Sequence, residues 1–473
     1  MIDFPKKPIT KIISINTDYY ELFKHIQKRF ESCYIFESLL LGRNQDTKVT
    51  MGFDPIFRVK ASGNTMDFEG DLSLVFPDEK EITQKSIEVA NPYYRLRELF
   101  PQDCMTKMQY GGLIGNFCHE TVNYLEACID LPVDEQFGQF EMGLFDDGLV
   151  YDMTTKELTY YYYQEHRNRI HIVEELLEAT QNGNLTLAPL ESVEILGNNI
   201  TREEYNKVFK TTQEEILKGN TFQAEIGAKT HYHIKGNKLR VYDKLREVNP
   251  SPYMYYLQFG EKTLLGASPE ILVSSINGKV LTTPTAGTVQ RGATPEEDAF
   301  YSRKLLNDPK EIAEHNMLVD LHRNDLGKIA QKGTVIIEDL MYIIRFSHVQ
   351  HIVSDISCLQ HKDKDALDVL AATLPGGVLT GAPKIETIKI ISRNETAPRG
   401  PYGGAVGRFS FNGDCYFCMP IRSLFCYEEA CFAQTSSGAV LDSTADGEYD
   451  EIERKLEAMQ VTIKQLQAET MNI

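Results

Sequence analysis

Two pairs of carboxylates in the chain stand at helical spacing. Glu311 and Glu314 lie in "EIAEHNML". Glu448 and Glu451 lie in "GEYDEIERK", with Lys455 one turn further on. An i, i+3 pair projects from one face of a helix. Two such pairs on separate helices could converge on one hard cation. Mg²⁺ takes one or two carboxylates, keeps waters, and draws on substrate oxygens for the rest. In an acidic protein a single pair is more ordinarily a solvated helix face, so this spacing alone is a weak signal. His348 and His351, in "FSHVQHIVSDI", differ by three positions in a β-branched run. On a strand they face opposite sides, so at most one serves a given site. "LPGGVLTGAPK" and "TSSGAV" read as small-residue loops whose N–H groups can approach an anion. Neither matches a phosphate loop or a dinucleotide fingerprint. Cys415 and Cys418 of "CYFC", followed by Cys426 and Cys431, invite a zinc reading. Positions 415 and 418 would point to opposite faces of a strand, so core packing is the better reading.

The elements that must position these groups are strands and helices mixed. "GLVYDMTTKELTYYYY" reads as strand, turn, strand. "GGLIGNFCHETVNYLE" reads as a glycine-rich lead into an amphipathic stretch. A helix opens at Thr201, with Glu204 at capping-box spacing. Residues 251–288 read as successive strands with turns at Gly260-Glu261 and Asn277-Gly278. Residues 294–330 are helical, Asn412-Gly413 marks a hairpin, and residues 448–469 form an amphipathic helix. Hairpins outnumber βαβ units, so the fold class is α+β with antiparallel sheets. A chain of 473 residues suggests two domains or interlocked lobes. The boundary is placed in 185–197, giving regions 1–190 and 191–473.

The net charge is −19, from 68 acidic and 49 basic residues. That argues against nucleic acid as a partner, since phosphate-backbone binding needs clustered Lys and Arg. An anionic substrate remains open, because a metal or a local cation can reverse the field at one site. The nine cysteines read as free thiols in a reducing compartment. The start of the chain lacks a secretory h-region, and no apolar run is long enough to span a membrane. The expectation is a cytoplasmic protein with no membrane partner.

Several stretches together carry a resemblance. "SPE", "PTAGT", "EIAEHNMLVDLHRNDLG", "HVQHIVS", "LTGAPK", "YGGAVG", "IRSL" and "DSTADGEYDEIERK" occur in the order found in the chorismate-utilising enzymes. The chain resembles anthranilate synthase component I among them, closely over 200–470 and more loosely through "FESLLLG", "VTMGFDP" and "GGLIG". The resemblance implies an antiparallel β-sandwich of two large sheets with helices packed outside. It implies Mg²⁺ held directly by Glu314 and Glu451, with Glu311 and Glu448 holding metal-bound waters. It implies a ring-carboxylate clamp around Ser436, Ser437, Gly438 and Lys455. Tyr402 and Arg422 are similar to the clamp on the enolpyruvyl carboxylate, where an Arg fork suits a planar anion. Gly287 and Thr288 are similar to substrate-contacting positions. Glu270 resembles the acid that protonates the departing ring hydroxyl. His351, not His348, resembles the residue that handles the C2 proton as pyruvate leaves, and an unperturbed pKa near 6.5 would suit it.

Two positions distinguish relatives. Water-adding family members carry a lysine base where this chain has Gln223, and ammonia needs no such base. The 4-amino-4-deoxychorismate synthases usually carry a lysine nucleophile where this chain has Ala286. What the resemblance implies is amination of chorismate at C2, giving anthranilate. Its alternatives are a synthase that stops at 2-amino-2-deoxyisochorismate, a 4-amino-4-deoxychorismate synthase component, and a non-catalytic homologue that senses tryptophan. No cysteine stands in a glutaminase-like loop. A separate glutamine amidotransferase subunit, similar to anthranilate synthase component II, is therefore implied, and with it a hetero-oligomer. Glu37, Ser38, Pro252, Tyr253 and Met254 fall in elements that resemble a tryptophan inhibitor site. Ser436, Val378 and Val289 depart from the family's usual glycine, threonine and arginine.

Overall fold

The computed structural model describes residues 4–15, 17–40, 47–79, 82–101, 104–181, 183–346 and 349–471. His348 lies outside these. The expected α+β class and its antiparallel pairing are what the chain adopts. Two large sheets, each of twelve strands among the described residues, pack face to face. The first runs, in spatial order, through Ile9–Ile13, Leu158–Tyr162, Asp147–Asp152, Lys48–Phe53, Ser32–Glu37, Tyr253–Phe259, Lys262–Ser268, Ser423–Tyr427, Ala430–Ala439, Gln223–Lys235 and Ser192–Asn198. The second begins with Thr285–Gln290 and Val349–Leu359, continues through Lys279–Thr282, Ile271–Ile276, Cys415–Cys418 and Ala405–Ser410, and ends in strands from residues 57–145.

Alternation along the strands explains how both faces of the first sheet are buried. Tyr255 and Leu257 point into the core between the sheets. Met254 and Tyr256 point to the other face, under the helices Tyr19–Arg29, Leu239–Val248 and Ala445–Met471. This is the period-two pattern of a pleated strand covered on both sides. The strands before and after the boundary at 190/191 share both sheets. Glu37 pairs with Met254 in the first, and Phe117 pairs with Ala405 in the second.

Local signals operate as read in several places. Thr201 and Glu204 form a reciprocal capping box on the helix Arg202–Leu217. Asn277 and Gly278, both at positive φ, close the hairpin between Ile271–Ile276 and Lys279–Thr282. The helical stretch 294–330 divides at Asp308-Pro309, where Asp308 caps the helix Pro309–Gly327.

Three expectations are corrected. "GLIGNF" is a strand, Gly112–Phe117, followed by only a short helix, Val122–Leu125. The "TSSGA" stretch is part of the strand Ala430–Ala439, paired with Gln223–Lys235, so it is a ladder element and not a loop. The nine cysteines are not all free thiols. Cys426 and Cys431 stand directly opposite one another on paired strands and are joined by a disulfide. Cys415 and Cys418 are free and buried in the second sheet.

Candidate active site

The strand Gln223–Lys235 carries the first site residues. Gln223 and Glu225, two positions apart, share one face of it. Gln223 Nε2 donates to Glu314 at 3.2 Å and lies 3.5 Å from Glu225 Oε1. Its Oε1 is buried without a partner among the described residues. Opposite Glu225 in the ladder stands Gly438. A Cβ at 438 would come within 2.2 Å of Gln223 Nε2, so only glycine leaves room for that amide.

On the same neighbouring strand stands Ser436, where the resemblance implied a glycine. Its hydroxyl donates to Glu225 Oε2 at 2.6 Å and lies 2.8 Å from the Tyr402 hydroxyl. Its carbonyl accepts from Lys455 Nζ at 2.9 Å. Ser437 turns the other way, to the Tyr205 hydroxyl at 2.8 Å. Of the two serines, only Ser436 therefore presents its hydroxyl to Glu225 and Tyr402.

The helix Ala445–Met471 buries Tyr449, Ile452, Leu456, Met459, Ile463 and Leu466. That three-and-four spacing is the apolar stripe of an amphipathic helix. Glu448, Glu451 and Lys455 run along its flank, and Lys455 bridges to Glu451 at 2.8 Å. Burial works against the Lys455 charge, but Glu225 and Glu451 outweigh it and hold the ammonium above its ordinary value. Burial likewise opposes ionisation of Glu451, yet Lys455 keeps that carboxyl below its ordinary value.

Glu311 and Glu314 lie in the first turns of Pro309–Gly327. Burial pushes both up, and the charge of Glu451 adds to the shift in each. Glu448 is raised by burial and by Glu451. The four carboxylates thus belong to one electrostatic site. Among the described residues no three of them already stand together as a metal-holding group. The donor set still fits a hard divalent cation. It is all oxygen, it comes from two helices, and the mutual repulsion that raises its members is what a cation relieves.

"PTAGT" forms the strand Thr285–Gln290. Ala286 is buried against Leu318 and Leu321 of the helix Pro309–Gly327. The ladder with Val349–Leu359 is interrupted between Ala286 and Thr288. Gly287, at φ +75°, makes that irregularity and sits against Glu311, whose Oε2 would be 2.9 Å from an added Cβ. The bulge turns the Gly287 carbonyl and the Thr288 hydroxyl to His351 Nδ1, at 3.2 and 3.0 Å. The carbonyl can only accept, which favours hydrogen on Nδ1 and a lone pair on Nε2. Burial lowers His351 to about 4, with Arg422 and Lys455 acting in the same direction. The unperturbed value expected from sequence is corrected accordingly: the ring is held neutral, as a proton acceptor must be.

Glu270 accepts the Thr285 N–H at 3.2 Å and is buried. Burial raises it well above the ordinary carboxylate range, and Glu225 adds to the shift, while Arg422 and Lys455 oppose it. It can hold a proton at neutral pH. Arg422 adopts a left-handed φ of 54°, uncommon for a side chain of this size. Burial lowers its pKa, which an anionic ligand would reverse.

Sequence reasoning missed Glu225, Arg399 and Glu120. Arg399 is buried, and it bonds the carbonyls of Glu225 at 2.7 Å and Leu379 at 2.5 Å while pairing with Glu395. Glu120 accepts the Arg399 N–H at 2.7 Å and so anchors the turn that carries Tyr402. The available signal for Glu225 was its i+2 spacing from Gln223 on a strand. Nothing local marked the other two.

Glu37, Ser38, Pro252, Tyr253 and Met254 all border one cavity, together with Arg408 and Tyr416. The Glu37 carboxylate is already engaged, by Arg246 at 2.8 and 3.0 Å and by the Tyr19 and Tyr242 hydroxyls.

Two interleaved antiparallel sheets with this cluster of acids, paired cations and a neutral histidine define an enzyme class, and the chain belongs to it. Residues 16–461 match the family described as chorismate binding enzyme. The chain is 40% identical over 461 residues to anthranilate synthase component 1 of Leptospira biflexa, covering 96% of each chain. It is 36% identical over 457 residues to anthranilate synthase component 1 of Methanothermobacter thermautotrophicus, covering 96% of this chain and 94% of that one. The crystal structure of anthranilate synthase component I from Streptococcus pneumoniae superposes with a TM-score of 0.74 at 28% identity, over 89% of this chain and 93% of that one.

Proposed function

We infer that the chain is the large subunit of an anthranilate synthase, converting chorismate and ammonia to anthranilate and pyruvate at the first committed step of tryptophan biosynthesis. The observation that carries this reading is the pair Gln223 and Ala286. The first is a buried neutral amide hydrogen-bonded to Glu314, and the second is a methyl group packed under Leu318 and Leu321. Neither can act as the base of a hydrating relative or as a covalent amine. Direct attack by ammonia at C2 is the route left.

The roles are those the resemblance implies, and the geometry above is compatible with each. Arg422 and Tyr402 hold the enolpyruvyl carboxylate, and Lys455 with the strand at 436–438 holds the ring carboxylate. Gly287 and Thr288 line the ring and fix His351. Glu270 gives its proton to the departing hydroxyl, and neutral His351 takes the C2 proton as the enolpyruvyl group leaves. Glu314 and Glu451 would hold Mg²⁺ directly, with Glu311 and Glu448 on its waters. When bound, the ion neutralises the ring carboxylate against this acidic wall. Ammonia comes from a glutamine amidotransferase subunit.

The cavity lined by Glu37, Ser38 and Pro252 to Met254 supports a second role, tryptophan feedback. Its lining comes from both sides of the 190/191 boundary, so regulation belongs to neither region alone. Calorimetric titration with tryptophan tests this, and absence of binding would remove it.

The enzymatic reading is tested with purified chain, chorismate and ammonium, with and without Mg²⁺. Anthranilate should form, and EDTA should abolish it. A para-amino product, isochorismate, or an amino product without pyruvate would each assign a different reaction.

A further inference from the structure

Glu225 has no role in the chemistry above, yet it is buried in the middle of the site. Its main chain is fixed by Arg399 to its carbonyl and by its own N–H to Thr380, at 2.7 and 2.9 Å. Its carboxylate receives the Ser436 hydroxyl on Oε2, and Oε1 faces the Gln223 amide. That amide donates towards two carboxylates, Glu225 and Glu314, which orients it with its oxygen the other way. The oxygen is then a buried acceptor with no donor among the described residues. An orphan acceptor of this kind is costly unless a ligand supplies the hydrogen. A ligand that suits a carboxylate and an amide oxygen together is a compact N–H donor able to gain positive charge. The oxygen-rich edges of a dicarboxylate would be repelled from the same place.

We propose that Glu225 and the Gln223 carbonyl oxygen form the subsite for ammonia, and that Glu225 accepts the proton ammonia loses as its nitrogen bonds to the ring. The proposal rests on the chorismate-and-ammonia reading. In the step, the nitrogen lone pair forms the bond to C2 and the ring double bonds shift. The C–O bond at C4 breaks, and the hydroxyl leaves as water with the proton from Glu270. The new nitrogen, positively charged, gives one proton to the Glu225 carboxylate. One carboxyl loses a proton and another gains one, so the step balances. Ser436 is a positioning residue here. Its hydroxyl holds Glu225 Oε2, which keeps Oε1 turned to the amide. A residue without a side-chain hydroxyl at 436 could not do so.

The electrostatics agree with this assignment. Burial raises Glu225 to about 7, Glu451 and Glu314 raise it further, and Lys455 and the Ser436 hydrogen bond lower it. Glu270 and Arg399 also feel its charge. A group balanced near neutrality can both take and release a proton in turnover.

The test uses the full chain at saturating chorismate and Mg²⁺, with ammonium varied and rates expressed against free ammonia. Glu225→Gln should lower kcat/KM for ammonia by about 10²- to 10³-fold, and Glu225→Asp should restore part of it. The KM for chorismate and the Mg²⁺ affinity by calorimetry should each stay within about threefold, since Glu225 is given no share in either. Ser436→Ala should move the ammonia term in the same direction by about tenfold, and it carries the test if Glu225→Gln fails to fold. Unchanged ammonia kinetics in the variants of an active wild type would overturn the proposal alone. So would a loss in Glu225→Gln that is explained by chorismate or Mg²⁺ affinity. A wild type that makes no anthranilate would overturn the underlying reading, and the proposal with it.

Discussion

Gln223 and Ala286 carry the choice of amination, and His351 the elimination that follows it. His351 is neutral because it is buried, and it is aimed by one carbonyl and one hydroxyl. Its replacement should stop aromatisation more than amination. For His351→Ala, pyruvate release should fall by about 10²- to 10⁴-fold, with a 2-amino intermediate accumulating on chromatography. Equal loss of chorismate consumption and pyruvate release would deny it that role. Ala286 offers only a methyl group, packed against Leu318 and Leu321, and has no lone pair to attack with. Ala286→Lys should cost about 1–3 kcal/mol by overpacking against Leu318 and Leu321, read by urea unfolding, and should not raise the anthranilate yield.

Much at the scale of single elements was legible because the signals were local. The capping box at Thr201 and the Asn277-Gly278 turn are each specified within a few residues. What escaped was set by partners distant in sequence. "TSSGA" has the composition of a loop, and it becomes a strand because Gln223–Lys235 lies beside it. The Cys426–Cys431 disulfide follows from a two-residue turn at Glu428-Glu429, but neither residue is a usual hairpin former, so the turn was not signalled. Helix packing was equally silent. Asp325 of Pro309–Gly327 meets Lys384 of the helix Lys384–Asn394 in a buried pair at 2.5 Å. Asp325→Asn strips that ammonium of its counter-charge and should cost about 3–5 kcal/mol. Urea unfolding would measure this, and Lys384→Met in the same chain should recover part of it. An unchanged midpoint in the single variant would show that the pair does not hold the helices together.

Over the whole molecule, the sequence pointed to two regions, and both contribute strands to both sheets through the Glu37–Met254 and Phe117–Ala405 seams. Site motifs were readable because their residue types are tied to chemistry. The seams were not, because any alternating apolar strand can pair with another. Folding also fixes the charge state of buried histidines. Burial lowers His322 to about 4 from an ordinary 6.5. As pH falls, the unfolded chain therefore binds that proton first. The stability the neutral ring contributes above about 6.5 is lost as pH drops towards 4. His322→Gln should remove this dependence, so the melting temperature of wild type relative to the variant should fall across that window. A constant difference between pH 7 and 4.5 would contradict it.

Amination at C2 followed by elimination in one site sets a fixed ratio of products. The direct measurement is the stoichiometry of products when the purified chain turns over chorismate with Mg²⁺ and excess ammonium. Anthranilate fluorescence and enzymatically assayed pyruvate should rise together in equal amounts, matching the chorismate consumed. Chorismate consumed without matching anthranilate and pyruvate, or no consumption at all, would contradict it.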